Sequence, residues 1–191
     1  MLVDFEQDIE PCLAVLRNGG LILYPTDTIW GIGCDATNEK AVERVYQLKQ
    51  REEQRSMIIL LADERSLLHY VAAPDPAVFD YLEELEKPTT LVFDGALGLP
   101  ANLVNEDGSI GIRLVKDEFC RHLIRRLGRP LVSTSANISG SPAPANFTEI
   151  SAAVIAGVDY TVNYRRNDLA SRQPSAVVKW NRNGTQTILR P

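Results

Sequence analysis

Three short polar segments hold most of the residues whose types and spacing could do chemistry. The first is Pro25-Thr26-Asp27-Thr28, directly after an apolar run. The second carries three cations close together, Lys49, Arg51 and Arg55. If a helix ends near Lys49, the chain beyond it can fold back and present all three to one anion. A triphosphate is such an anion, since it needs several cations and donors at once. Basic residues at a helix C-terminus can equally just offset its dipole. The third segment packs Ser133, Thr134, Ser135 and Asn137 into five residues. Hydroxyls and an amide beside a strand end can hold phosphate or ribose oxygens, or bond their own backbone in a capped turn. Spacing alone leaves both pairs of alternatives open.

Other chemistries find less support. Cys12, Cys34 and Cys120 are odd in number and widely spaced, so neither a disulfide framework nor a C-x-x-C metal pair can be read from them. Reduced thiols fit the cytoplasm. His69 and His122 fall on expected helices, outside any motif, and no metal-ligand spacing is present, so no protein metal site is expected. Gly31-Ile32-Gly33-Cys34-Asp35-Ala36 fits G-x-G-x-x-A. That fingerprint needs its first glycine in the turn right after a strand, and here Pro25 to Trp30 intervene. There is no G-x-x-x-x-G-K-[ST] loop. The net charge of −5 argues against a generally cationic nucleic-acid surface, leaving room for a local basic cleft. The acidic N-terminus is unlike a signal peptide. The longest wholly apolar run, Met57 to Ala62, is far short of a membrane span.

The elements that must position these segments follow from periodicity and punctuation. Helices are expected over Asp8–Arg17, from the Asn38 cap to about Gln50, near Ser66–Val71 and Pro76–Leu85, over Asp117–Leu127, and near Thr148–Ala156. Strands are expected at Leu21–Tyr24, Met57–Leu61, Thr90–Phe93, Leu131-Val132, Tyr160–Val162, Ala176–Lys179 and Thr185–Leu189. Ser109–Val115 alternates like a half-buried strand. Thr26–Thr37 and Ser133–Asn146 read as loops, and Asn167–Pro174 as the most mobile one. Interleaved strands and helices predict an α/β or α+β domain spanning residues 1–191, with a twisted mixed sheet flanked by helices.

Taken together, the segments place the chain by resemblance. YPTDTIWGIGCD at Tyr24–Asp35, the K-x-R of Lys49 and Arg51, SIGIRL at Ser109–Leu114 and STSANISG at Ser133–Gly140 resemble, in order and spacing, the YrdC-like family of threonylcarbamoyl-AMP synthases, which includes YciO-type members. The resemblance runs on to Pro174-Ser175 and Leu189-Arg190. It implies a single α/β domain with a concave, locally basic pocket. It implies an enzyme that joins L-threonine, bicarbonate and ATP into threonylcarbamoyl-AMP, releasing pyrophosphate, with the product passing to the tRNA-modification machinery. By similarity Lys49, Arg51 and Arg55 face the triphosphate. Ser133, Ser135 and Asn137 hold phosphates, with Mg²⁺ bridging them. Thr90 and Arg190 lie near the nucleotide, and Thr28, Arg113 and Ser175 take the threonine. Lys49, Arg51, Ser135 and Asn137 form the catalytic set. Lys49 and Arg51 are expected to be exposed cations, so their removal should leave the fold intact. Arg55-Ser56 stands where many members have Lys-Pro, and Glu86-Lys87-Pro88 where many have Pro-Gly-Pro. A single-domain type is expected, without the extra C-terminal domain of longer relatives. These departures keep open a YciO-type alternative that binds tRNA or double-stranded RNA without synthase activity.

Overall fold

The computed structural model describes residues 5–50 and 57–191. Among them nine strands form one mixed sheet, in the order β7-β1-β2-β6-β3-β5-β4-β8-β9. Its middle is β6 (Leu131–Ser135), β3 (Ile58–Leu61), β5 (Ile110–Leu114) and β4 (Thr89–Phe93). β3 runs parallel to β5 and antiparallel to β6. Ile59, Leu60, Ile110, Ile112, Leu131 and Val132 are all buried. Such runs are buried on both faces, as expected for strands covered by helices. Ser109–Val115 therefore departs from the half-buried expectation: Gly111 and Arg113 are buried along with their apolar neighbours.

Helices are set by their caps. α2 (Glu39–Lys49) starts where the Asn38 side chain accepts from the Ala41 amide, and stops at Gln50, whose backbone is left-handed. α5 (Glu118–Leu127) starts where Asp117 accepts from the Cys120 amide, and ends on Gly128 at φ 72°. α1 (Glu6–Arg17) packs on α5 and β1 (Ile22–Tyr24). Asp8 on α1 is fully buried and accepts from the Tyr160 hydroxyl, the Asn163 amide and side chain, and the Tyr164 amide. That carboxylate ties the N-terminal helix to the chain leaving β7 (Tyr160–Thr161). Phe5, Phe119 and Tyr164 close the same corner with edge-on and tilted ring contacts.

Two expected loops contain strand. Gly31–Gly33 forms β2, paired antiparallel with β1 and β6, and β6 continues through Ser133, Thr134 and Ser135. The glycines of β2 are a packing requirement. A Cβ on Gly33 would lie 2.5 Å from the Tyr24 ring and 2.7 Å from the Val132 carbonyl oxygen. This strand geometry overrides the G-x-G-x-x-A reading, which needs a turn at those glycines. The expected helix near Thr148–Ala156 is two pieces, a 3₁₀ turn at Phe147–Glu149 and α6 (Ala152–Gly157). α3 (Leu67–Tyr70), α4 (Ala77–Glu84), β8 (Ala176–Trp180) and β9 (Gln186–Arg190) fall where expected within one or two residues. Residues 167–175 carry no helix or strand. No helix among the described residues is long and apolar enough to cross a membrane.

Candidate active site

A cleft of about 260 Å³ opens beside β2, β3, β5 and β6. Six of the sequence-predicted residues line it: Thr28, Arg113, Ser133, Ser135, Ser175 and Arg190. They come from five separate stretches of chain, so the fold brings them together. β6 carries Ser133 and Ser135 into the wall, in register with Ile58 and Gly31 across its two neighbours. Gly31 leaves room there: a Cβ would stand 3.2 Å from the Ser133 hydroxyl. Trp30, Met57 and Pro174 complete an apolar side that the sequence did not single out. Trp30 is itself held by Phe147, with ring centroids 4.8 Å apart.

Thr90 stands just behind the cleft. Its hydroxyl shares a 2.9 Å hydrogen bond with that of Ser175, and both residues are buried. Arg190, at the end of β9, donates from Nε to the Ser175 carbonyl at 2.9 Å. The Pro25–Thr28 segment folds into a tight hydroxyl turn. Thr26 Oγ1 accepts from the Thr28 amide and donates to the Ile29 carbonyl, and lies 3.0 Å from Thr28 Oγ1.

Lys49 meets Asn137 across 88 residues of sequence. Its Nζ donates to the carbonyl oxygens of Ser135 at 2.5 Å and Asn137 at 2.7 Å. Asn137 in turn donates to the Ser141 carbonyl at 2.7 Å, fixing the turn after β6. One expectation is corrected here: Lys49 is 2% exposed and is no surface cation. Its ammonium is an internal brace on the strand end that carries Ser135. Arg51 and Arg55 lie outside the described residues.

Two residues passed over in the sequence support the site. Asp27 pairs with Arg113, Oδ1 to NH2, at 3.1 Å. Arg165, at a left-handed φ of 62°, pairs with Asp117 and donates to the Thr26 carbonyl at 3.2 Å. Asp27 had a signal, its place in the first polar segment. Arg165 had none, because it reaches the site from 139 residues downstream.

No cysteine or histidine lines the cleft. Cys120 Sγ donates to the Pro25 carbonyl at 3.3 Å. Burial, reinforced by the Asp117 and Asp27 carboxylates, pushes its thiol well above the ordinary range. Burial does the same to Cys12 and Cys34. All three are poor nucleophiles as a result. His69 and His122 sit on α3 and α5, away from the cleft. What the cleft offers is hydroxyls, guanidinium groups and backbone, which suits binding and charge stabilisation more than covalent catalysis.

The family described as "Telomere recombination", Sua5/YciO/YrdC, matches residues 14–191. The chain belongs to this family. A threonylcarbamoyl-AMP synthase of Stenotrophomonas maltophilia is 32% identical over 172 residues, covering 88% of this chain and 92% of its own. One from Idiomarina loihiensis is 37% identical over 134 residues, covering 69% and 72%. Among solved structures, P. abyssi Sua5 complexed with L-threonine superposes on 97% of this Sua5/YciO/YrdC chain with a TM-score of 0.85 at 24% identity. The chain spans 54% of that protein's length. At that identity the likeness speaks for the α/β fold.

Proposed function

We propose that this protein is an L-threonylcarbamoyladenylate synthase, acting as one domain over residues 1–191. The observation that carries the proposal is the convergence on one cleft of Arg113, Ser133, Ser135, Ser175, Arg190 and Thr28, drawn from all along the chain. The chain's similarity to named synthases along most of its length supports the same function.

The reaction asks little covalent chemistry of the protein. The threonine amine, in its neutral form, takes up the carbon of bicarbonate with loss of water, giving a carbamate. A carbamate oxygen then attacks the α-phosphorus of ATP. The bond from that phosphorus to the bridging oxygen breaks, and pyrophosphate leaves with the electron pair. No protein nucleophile is needed, in keeping with buried, high-pKa thiols.

Catalysis is then positioning and charge stabilisation. Arg113 takes the threonine carboxylate, with Thr28 and Ser175 as hydroxyl partners. Thr90 keeps Ser175 oriented through their shared hydrogen bond. Ser133, Ser135 and Arg190 face the nucleotide, joined by Arg51 and Arg55 from the K-x-R segment. Lys49 and Asn137 shape the turn after β6 on which the phosphates rest. Among the described residues no three His, Cys, Asp or Glu side chains converge. Mg²⁺, which the family resemblance implies, would enter with the triphosphate as part of the substrate and would neutralise its charge. Reduced thiols fit a cytoplasmic protein that passes its product to the tRNA-modification machinery.

The test is pyrophosphate release from ATP with L-threonine and bicarbonate left out in turn. Release that needs both is expected. ATP binding without threonine-dependent release would contradict the proposal. It would favour the YciO-type alternative that binds tRNA or double-stranded RNA.

A further inference from the structure

Arg113 enters the cleft from β5 with only 4% of its side chain exposed, and Asp27, which holds it, is 12% exposed. Two charges taken this far out of water need full compensation if they are there for stability. The usual arrangement for an arginine and a carboxylate is fork to fork, with two parallel hydrogen bonds. This pair is not built so. Its ion contact is NH2 to Oδ1 at 3.1 Å, and Arg113 NH2 lies 3.5 Å from Thr26 Oγ1. Among the described residues, Arg113 Nε is buried with no hydrogen-bond partner, and Asp27 Oδ1 has no well-aligned donor. The guanidinium is thus anchored by one corner and keeps donor capacity in reserve. Arg113 lines the cleft, whereas Asp27 stands outside its wall.

We propose that Asp27 is a positioning residue for the amino-acid substrate: it holds Arg113 from behind, so that the remaining guanidinium donors meet the substrate carboxylate. The inference rests on the synthase function proposed above. Asp27 can do this because its own turn is locked. Thr26 Oγ1 takes the Thr28 amide and gives to the Ile29 carbonyl, while Arg165 holds the Thr26 carbonyl. Arg113 is fixed at its base, since β5 is paired with β3 on one side and β4 on the other. A guanidinium fixed at base and corner spends less orientation entropy on a planar carboxylate than a free one. A residue acting in this way changes recognition of the amino acid and leaves recognition of ATP alone.

Steady-state pyrophosphate release by the full chain separates this from a structural role. L-Threonine and ATP are varied independently for wild type, Asp27→Asn and Asp27→Glu. For Asp27→Asn, KM for L-threonine should rise about tenfold while KM for ATP stays within about twofold. Asp27→Glu keeps the charge one methylene further out, so a smaller rise, about threefold, is expected in threonine KM alone. An unchanged threonine KM in folded Asp27→Asn would overturn the inference, as would parallel rises in both constants. If Asp27→Asn does not fold, Asp27→Glu decides by the same two criteria. A wild type with no threonine-dependent release overturns the synthase function itself, and this inference with it.

Discussion

Lys49 shows how a residue's chemistry depends on where its charge is spent. In the sequence it is one of three neighbouring cations suited to an anion. In the fold its ammonium is buried against two carbonyl oxygens of the β6 turn. Lys49→Ala should therefore abolish turnover and also destabilise the fold. Leaving two part-buried carbonyls without their charged donor costs about 1–3 kcal/mol. For a chain of this size that lowers Tm by roughly 2–4 °C per kcal/mol. Thermal unfolding checks it, and an unchanged Tm would show that the brace is unimportant. Residue types and spacing pointed to Thr28, Ser133, Thr134 and Ser135 in the cleft, and the family resemblance added Arg113, Ser175 and Arg190. They could not show that Lys49 faces inward or that Asp27 sits on Arg113. Both depend on contacts between positions more than 80 residues apart.

At the scale of elements, the helices were legible because their caps and apolar stripes are local. Asn38 and Asp117 announce α2 and α5 before any tertiary contact is known. β2 was not legible: three residues, two of them glycine, give no periodicity. Its need for glycine lies in Tyr24 and Val132 on neighbouring strands. Gly33→Ala should accordingly cost about 1–3 kcal/mol by overpacking. A denaturant midpoint equal to wild type would contradict that packing. The N-terminal helix is pinned by a single buried carboxylate with four donors. Asp8→Ala strands those donors, and a loss of about 2–4 kcal/mol is expected. Hydrogen exchange at the Asn163 and Tyr164 amides should accelerate in that variant, and unchanged exchange would count against the tie.

For the molecule as a whole, several arginines of this acidic chain are held by carboxylates. Asp159 accepts from the Leu21 amide and pairs with Arg44, joining the start of β1 to α2. Burial pushes its carboxyl up, but Arg44 and the amide outweigh that and hold it below the usual range. Its folded pKa lies below the unfolded value of about 3.9, so its stabilisation is complete above about pH 4. It is lost as pH falls through the folded pKa. Asp159→Asn should therefore be less stable than wild type near neutral pH, with the gap closing in acid. Urea midpoints at about pH 6 and pH 3 test this, and a gap that stays constant would contradict it. The sheet order, with β6 between β2 and β3, gathers distant polar segments around one cleft and could not be read from the segments alone.

As a synthase, this cleft joins three small molecules into one adenylate. This is tested most directly by supplying ¹³C-bicarbonate, L-threonine and ATP and weighing the nucleotide product. A labelled species containing threonine, one labelled carbon and AMP is expected, formed only when all three substrates are present. Pyrophosphate release with no label in the nucleotide, or a labelled product formed without threonine, would contradict it.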